Sequence, residues 1–114
     1  MPNRKQEPPA APDAVLRALA DPNRRHILRL VQHSELASGQ IAASFTLTQQ
    51  AVSQHIGVLK KAGLLTERRE GARHFYSLRH EALEPVREIL SEFWPDALRR
   101  LKEAVETAHR PPRR

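Results

Sequence analysis

The sequence predicts a mainly α fold carrying one small β-ribbon, on three observations. Residues 48–62 form an amphipathic helix whose outer face is polar and free of acids. Ahead of it, apolar residues recur at helical spacing in short segments that end at residue 47. Behind it the period drops to two across an arginine-rich stretch, 65–78, and then returns to helical spacing through about Thr107.

A chain of 114 residues has room for one domain with a modest core, so a partner subunit is expected. An apolar content of 39% is that of a folded domain. The absence of cysteine excludes disulfides, thiolate metal sites and thiol redox sensing together. No apolar run approaches the roughly 20 residues that cross a bilayer, and the N-terminus lacks a secretory apolar region. A cytoplasmic protein without a membrane partner is therefore expected. Lys and Arg number 19 against 13 Asp and Glu, and the net charge of +6 points to a polyanionic partner.

Residues 1–12 hold Pro2, Pro8, Pro9 and Pro12 with Arg4, Lys5 and Glu7, the composition of a flexible tail. Asp13 is placed to cap a short helix with Val15, Leu16 and Leu19 on its apolar face. Asp21-Pro22 restarts the chain as N-cap and first helical residue. Ile27, Leu28, Leu30 and Val31 form the buried side of this second helix, with the stems of Arg24 and Arg25 over the core and their charged heads in water. Ser38 is the expected cap of a third, short helix that turns Ile41, Ala42 and Phe45 inward.

Thr46-Leu47 makes a tight joint, and Thr48 supplies the N-cap of the central helix. Val52, Ile56 and Leu59 are its apolar stripe, and Gly63 is placed to close it in the left-handed conformation. The opposite face holds Gln49, Gln50, Ser53, Gln54 and Lys60, with His55 at its edge. Amides and hydroxyls read base edges in a major groove, and flanking lysines hold phosphate. Two short helices meeting at a short turn, the second with such a face, describe a helix-turn-helix.

Leu64, Leu65 and Thr66 open a strand that leads through Glu67, Arg68, Arg69 and Glu70 to a turn at Glu70-Gly71. Arg73 to Leu78 alternates, with Phe75 on one face and His74 and Tyr76 on the other. Arg68, Arg69 and Arg73 gather near the tip of this two-stranded ribbon, which suits a phosphate backbone or a minor groove, and Glu67 and Glu70 are placed to pair with them. A lone ribbon is marginal, so it must rest on the helices. The whole is a winged helix-turn-helix over 13–107, mainly α with a small β-wing.

From His80 onward Leu83, Val86, Ile89 and Leu90 form a stripe that Phe93, Trp94, Leu98, Leu101 and Val105 continue. Pro95 forces either one bent helix or two in series. The stripe exceeds what a core of this size covers, and its aromatics suit a subunit interface. Dimerisation through the terminal helices is therefore expected, with Val15, Leu16, Leu19, Ile89, Phe93, Trp94, Leu98 and Leu101 at the contact. Residues 108–114 end the chain as a basic tail. His26 reads as structural, His33 as a helix-end residue, His55 as a DNA contact or a support of the reading helix, and His74 as a neighbour of the DNA backbone. None has a nucleophile or acid arranged with it, so no catalytic residue and no enzyme activity is expected.

Several of these segments resemble the ArsR/SmtB family of bacterial winged-helix repressors. Leu19 to Leu28, LADPNRRHIL, is similar to its "LADPTRRxIL" opening. Leu47 to Ile56, with Leu59 to Leu65, resembles its reading helix, and Gly71 to Leu78, ending Tyr76-Ser77-Leu78, resembles its wing. The similarity runs from about Val15 to Leu78. It implies a homodimer that binds an operator in double-stranded DNA and represses transcription, with Thr48, Gln49, Gln50, Ser53, Gln54 and His55 at or near the DNA. The family's metal sites do not carry over. One needs a Cys-x-Cys pair, and the other needs an Asp/His pair near the start of the last helix to match His and Glu near its end. Glu103, Glu106 and His109 stand at that end, but Asp96 and His80 do not form the earlier pair. No metal and no cofactor is implied, and the chain resembles the family's cysteine-free branch, where a small-molecule effector stays open.

The leading reading is a dimeric, sequence-specific regulator that binds an inverted repeat through helix 48–62 and wing 65–78. Lys60, Arg68, Arg69 and Arg73 neutralise phosphate in it. The alternative is an architectural protein that binds DNA with little sequence choice, and a third is a winged helix turned to protein contacts.

Overall fold

The structure, a computed structural model, describes residues 11–108, apart from the side chains of Pro95, Ala97 and Leu98. Its elements run α1 (Pro12–Leu19), α2 (Pro22–Leu30), β1 (Leu36–Ala37), α3 (Ser38–Ala42), α4 (Gln49–Lys61), β2 (Leu65–Glu70), β3 (Arg73–Leu78), a 3-10 turn (His80–Leu83), α5 (Glu84–Phe93) and α6 (Pro95–Ala108). The expected tails lie outside the described residues from 1 to 10 and from 109 to 114.

Local chemistry sets most helix ends. Asp21 Oδ1 accepts from the backbone N–H of Asn23 at 2.7 Å and of Arg24 at 3.3 Å, and Pro22 occupies the first helical position. Partial burial opposes ionisation of Asp21, but those amides hold its carboxyl below the usual carboxylate range. Thr48 Oγ1 accepts from Ala51 N–H at 3.0 Å, as its cap role requires. At the far end of α4, Leu64 N–H bonds Leu59 O and Gly63 N–H bonds Lys60 O, both at 3.0 Å, a Schellman closure with Gly63 at φ 82.

Two expected caps are corrected. Helix α1 starts at Pro12 with Ala11 as its cap residue, so Asp13 lies in the first turn, where its charge meets the helix dipole, and caps nothing. Ser38 is already the first residue of α3. The cap residue is Ala37, whose N–H donates to Gln40 Oε1 at 2.8 Å.

The ribbon turns at Gly71, at φ 63, and pairs Leu65 with Leu78 through Glu70 with Arg73. It is wider than expected. Leu36 and Ala37 pair with Tyr76 and Phe75, giving a three-stranded antiparallel sheet ordered β1-β3-β2. The root of the wing is tied down by Leu78 N–H to Val31 O at 3.0 Å and Arg79 N–H to Leu64 O at 2.9 Å. That anchors it to the ends of α2 and α4, the support a small ribbon needs.

Val15, Ile27, Val31, Ile41, Val52, Leu59 and Leu64 are fully buried and make the centre of the core. Helices α5 and α6 are in series. Trp94, at φ −135 and ψ 57, breaks the run because Pro95 restricts the residue before it and has no N–H to continue the ladder. The radius of gyration is 17.0 Å, above the roughly 13 Å of a compact domain this long. The excess reflects α6, whose described side chains are all exposed.

Candidate nucleic-acid interface

Helix α4 buries Val52, Ile56 and Leu59 and exposes Gln49, Gln50, Ser53, Gln54, Gly57, Lys60 and Lys61. No acidic side chain lies on it. Capped at both ends and seated on the core by three aliphatic residues, it presents amides and hydroxyls on a rigid element, the arrangement that reads base edges.

His55 is half-buried, and its Nδ1 lies 3.5 Å from Arg24 Nη1. Arg24 also donates from Nε to Ala18 O at 2.7 Å and from Nη2 to Arg17 O at 3.1 Å, and Arg25 Nη1 donates to Leu19 O at 2.7 Å. Both arginine heads bond carbonyls at the C-terminal end of α1; Arg24 is half-buried there, while Arg25 stays exposed as the sequence suggested. They satisfy carbonyls that a helix end leaves without partners. His26 stacks edge-on against Phe45, ring centroids 4.9 Å apart, joining α2 to the segment before α4.

The wing arginines separate. Directly paired residues in an antiparallel sheet share a face, so Arg69 lies with His74 and Glu67 with Tyr76, whereas Arg68 lies with Phe75 and Glu70 with Arg73. Arg68 is held by Glu35, from Nε at 3.0 Å and Nη2 at 2.8 Å, reaches Glu70 at 3.4 Å, and stacks over Phe75 at 4.5 Å. This fork raises the Arg68 pKa further and draws the exposed Glu35 carboxyl below its usual range. Arg73 covers the same ring at 5.0 Å. Among the described residues, Arg69 and Arg73 have no carboxylate within ion-pair distance, so they are the wing charges left for a polyanion.

Glu67 was expected to pair with the arginines. It accepts instead from Lys60 Nζ at 2.8 Å, from Tyr76 OH at 3.3 Å and from His74 Nδ1. Partial burial works against its charge, but the bonds from His74 and Lys60 win and hold the carboxyl down to about 2. Tyr76 shifts the other way, raised by burial and by the Glu67 charge. The cluster locks α4 to β2 and β3. Its cost is that Lys60 arrives already paired.

The expected dimer residues divide as well. Val15 is fully enclosed in the chain's own core and offers no surface to a partner, a correction that follows from its inward position on α1. Leu19 is half-buried against that core, Ile89 is half-buried, and Leu16 is exposed. Phe93, Trp94 and Leu101 are 71%, 58% and 59% exposed. The Leu98 side chain lies outside the described residues. Phe93 and Trp94 are thus adjacent large aromatics left exposed in the single chain. Among the described residues no group of three His, Asp or Glu side chains is arranged to hold a metal, and no helix is long and apolar enough to cross a membrane. The suggested Glu106–His109 pair includes a residue outside those described.

Sequence reasoning missed Glu35, Glu67 as a hub, and Arg79. Arg79 Nη1 donates to Gly63 O at 3.1 Å behind the end of α4. Glu35 and Arg68 are 33 residues apart, a separation without a periodic signature. Only the alternation that puts Glu67, His74 and Tyr76 on one face hinted at the cluster.

Comparison with known proteins agrees with this geometry. A family model described as a helix-turn-helix domain matches residues 19–68. The chain is 41% identical over 88 residues to the HTH-type transcriptional regulator Rv2034 of Mycobacterium tuberculosis, covering 77% of this chain and 82% of that protein. It is 34% identical over 76 residues to the arsenical resistance operon repressor of Staphylococcus xylosus, covering 67% and 73%. A solved structure of a regulator ascribed to arsenical resistance superposes with a TM-score of 0.64 at 36% identity, over 78% of this chain and 93% of that one. Fold, acid-free reading helix and relatives together make this chain a member of the ArsR family of winged helix-turn-helix, DNA-binding transcriptional regulators.

Proposed function

We propose that the chain works as a homodimeric repressor that binds an inverted-repeat operator through α4 and the wing. The observation that carries this is the rigid, acid-free outer face of α4, locked to the wing through the Lys60–Glu67 pair. Gln49, Gln50 and Gln54 contact base edges and Ser53 makes a contact beside them, with Thr48 at the mouth of the groove. Arg69 and Arg73 meet phosphate, with Lys60 and Arg68 contributing less because carboxylates already face them. His55 acts through Arg24 as a support of the reading helix.

Phe93, Trp94 and Leu101, together with Leu16, form the dimer contact, and their exposure in a single chain supports it. A two-fold dimer places the two α4 helices about one DNA turn apart, roughly 34 Å. Footprinting on the DNA upstream of the gene, with a reporter fused to that promoter, tests the reading. Protection of two symmetric half-sites and higher reporter output on deletion of the gene are expected. A single unsymmetrical footprint contradicts the dimer, and lower output on deletion contradicts repression.

A further inference from the structure

A cleft of about 210 Å³ opens between α3, α4 and the wing, with Ser38, Ser53, Lys60, His74 and Tyr76 as its polar lining. Ser53 belongs to the face of α4 that presents amides and hydroxyls, and His74 shares its face of the ribbon with Arg69. The cleft thus lies between the polar face of the reading helix and the wing.

Behind the lining stands Glu67, taking hydrogen bonds from Lys60, Tyr76 and His74 Nδ1. An ionised carboxylate only accepts, so Nδ1 carries the proton of that bond. A neutral imidazole has a single N–H. While His74 is neutral, its Nε2 therefore presents a lone pair, which repels a phosphate oxygen. Protonation converts Nε2 to an N–H donor and adds a positive charge to a cleft where Lys60 is already offset by Glu67.

We propose that this cleft seats one backbone phosphate of bound DNA, held by Ser38, Ser53 and His74 Nε2, and that His74 takes up a proton as the phosphate arrives. The proposal rests on the DNA-binding reading above and adds proton linkage to it. The charged and titratable groups around His74 are Lys60 of α4, Glu67 and Arg69 of β2, and Tyr76 of β3. Glu67 fixes the tautomer, Lys60 keeps Glu67 ionised, and Arg69 draws the phosphate in. Glu67 is thus a positioning residue, acting on DNA only through the imidazole.

The test is the affinity of the full chain for its upstream DNA and for a scrambled duplex at pH 6, 7 and 8, at fixed ionic strength. Wild-type binding should weaken as pH rises, by up to about tenfold per pH unit for each protomer engaged. His74→Gln should remove the pH dependence and bind at every pH as the wild type does at pH 8. Glu67→Gln should flatten it from the other side. A His74 freed from its fixed tautomer offers Nε2–H while neutral, so the loss of affinity by pH 8 is smaller than the wild type's. His33→Gln, outside the lining of the cleft, should keep the wild-type slope. Circular dichroism at each pH confirms that the variants are folded. Wild-type binding that is flat in pH, or a His74→Gln slope parallel to the wild type's, overturns the proposal and leaves DNA binding standing. No binding to either duplex at any pH removes both.

Discussion

Arg24 Nε donates to the carbonyl oxygen of Ala18 at 2.7 Å, and its Nη2 reaches the carbonyl of Arg17 at 3.1 Å. One side chain at the start of α2 thereby closes the end of α1 and stands against His55 of the reading helix. Arg25 does the same for Leu19. The adjacent arginines of the LADPNRRHIL segment are struts that tie the start of α2 to the end of α1.

Replacing Arg24 by Ala removes two charge-assisted bonds to carbonyls and should cost about 1–3 kcal/mol of stability, read as the urea midpoint. Arg24→Lys should recover only part, because an ammonium does not span both carbonyls as the guanidinium fork does. An unchanged midpoint for Arg24→Ala contradicts the strut.

Acid should act on the molecule through Glu67. Its folded pKa of about 2 lies below the ordinary glutamate range. Its contribution to stability is therefore complete above that range and is lost as pH falls through it toward 2. The wild-type unfolding midpoint should drop along that limb. Glu67→Gln should be less stable at neutral pH, by about 1 kcal/mol for a partly solvated pair, and should show a shallower acid limb. Parallel limbs for the two proteins contradict the assignment.

Much of this was legible in the sequence because it is local. Asp21-Pro22, Thr48 and Gly63 act within one turn of their own helix, and their roles follow from backbone chemistry. The alternation of His74, Phe75 and Tyr76 correctly assigned the ribbon's faces. What escaped was non-local or too short to have a period. Strand β1 is two residues long and exists only because β3 is there to pair with it. Glu35 finds Arg68 through tertiary packing, and Arg24 spends its charge on carbonyls that no pattern of side chains reveals. Val15 looked like a dimer residue because apolar spacing cannot separate a core face from an interface.

The exposed aromatics should govern assembly. Trp94→Ala is expected to weaken the dimer by about 30-fold, the cost of an interface anchor near 2 kcal/mol, with sedimentation shifting toward monomer at micromolar concentration. Val15→Ala should instead lower the unfolding free energy by about 1–3 kcal/mol at every protein concentration, because it opens a cavity in the core. A Trp94→Ala protein that sediments as the wild type does contradicts the interface.

Base readout and backbone contact should separate by substitution. Gln54→Ala should lower affinity for the upstream DNA by about 1–3 kcal/mol while leaving a scrambled duplex nearly unaffected. Arg69→Ala should weaken both alike and reduce the salt slope by about 1 for each protomer engaged. Equal losses on both duplexes from both variants contradict the division of labour between α4 and the wing.

The measurement that bears most directly on the central claim is a titration of the wild-type chain against its own upstream DNA and a scrambled duplex. Two salt concentrations are needed, with metals chelated throughout. A sequence-specific dimeric repressor predicts promoter binding tighter than scrambled binding by roughly 1,000-fold or more, with both weakening steeply as salt rises. Equal, weak and salt-sensitive binding to the two duplexes would contradict it and leave a protein that coats DNA without reading it.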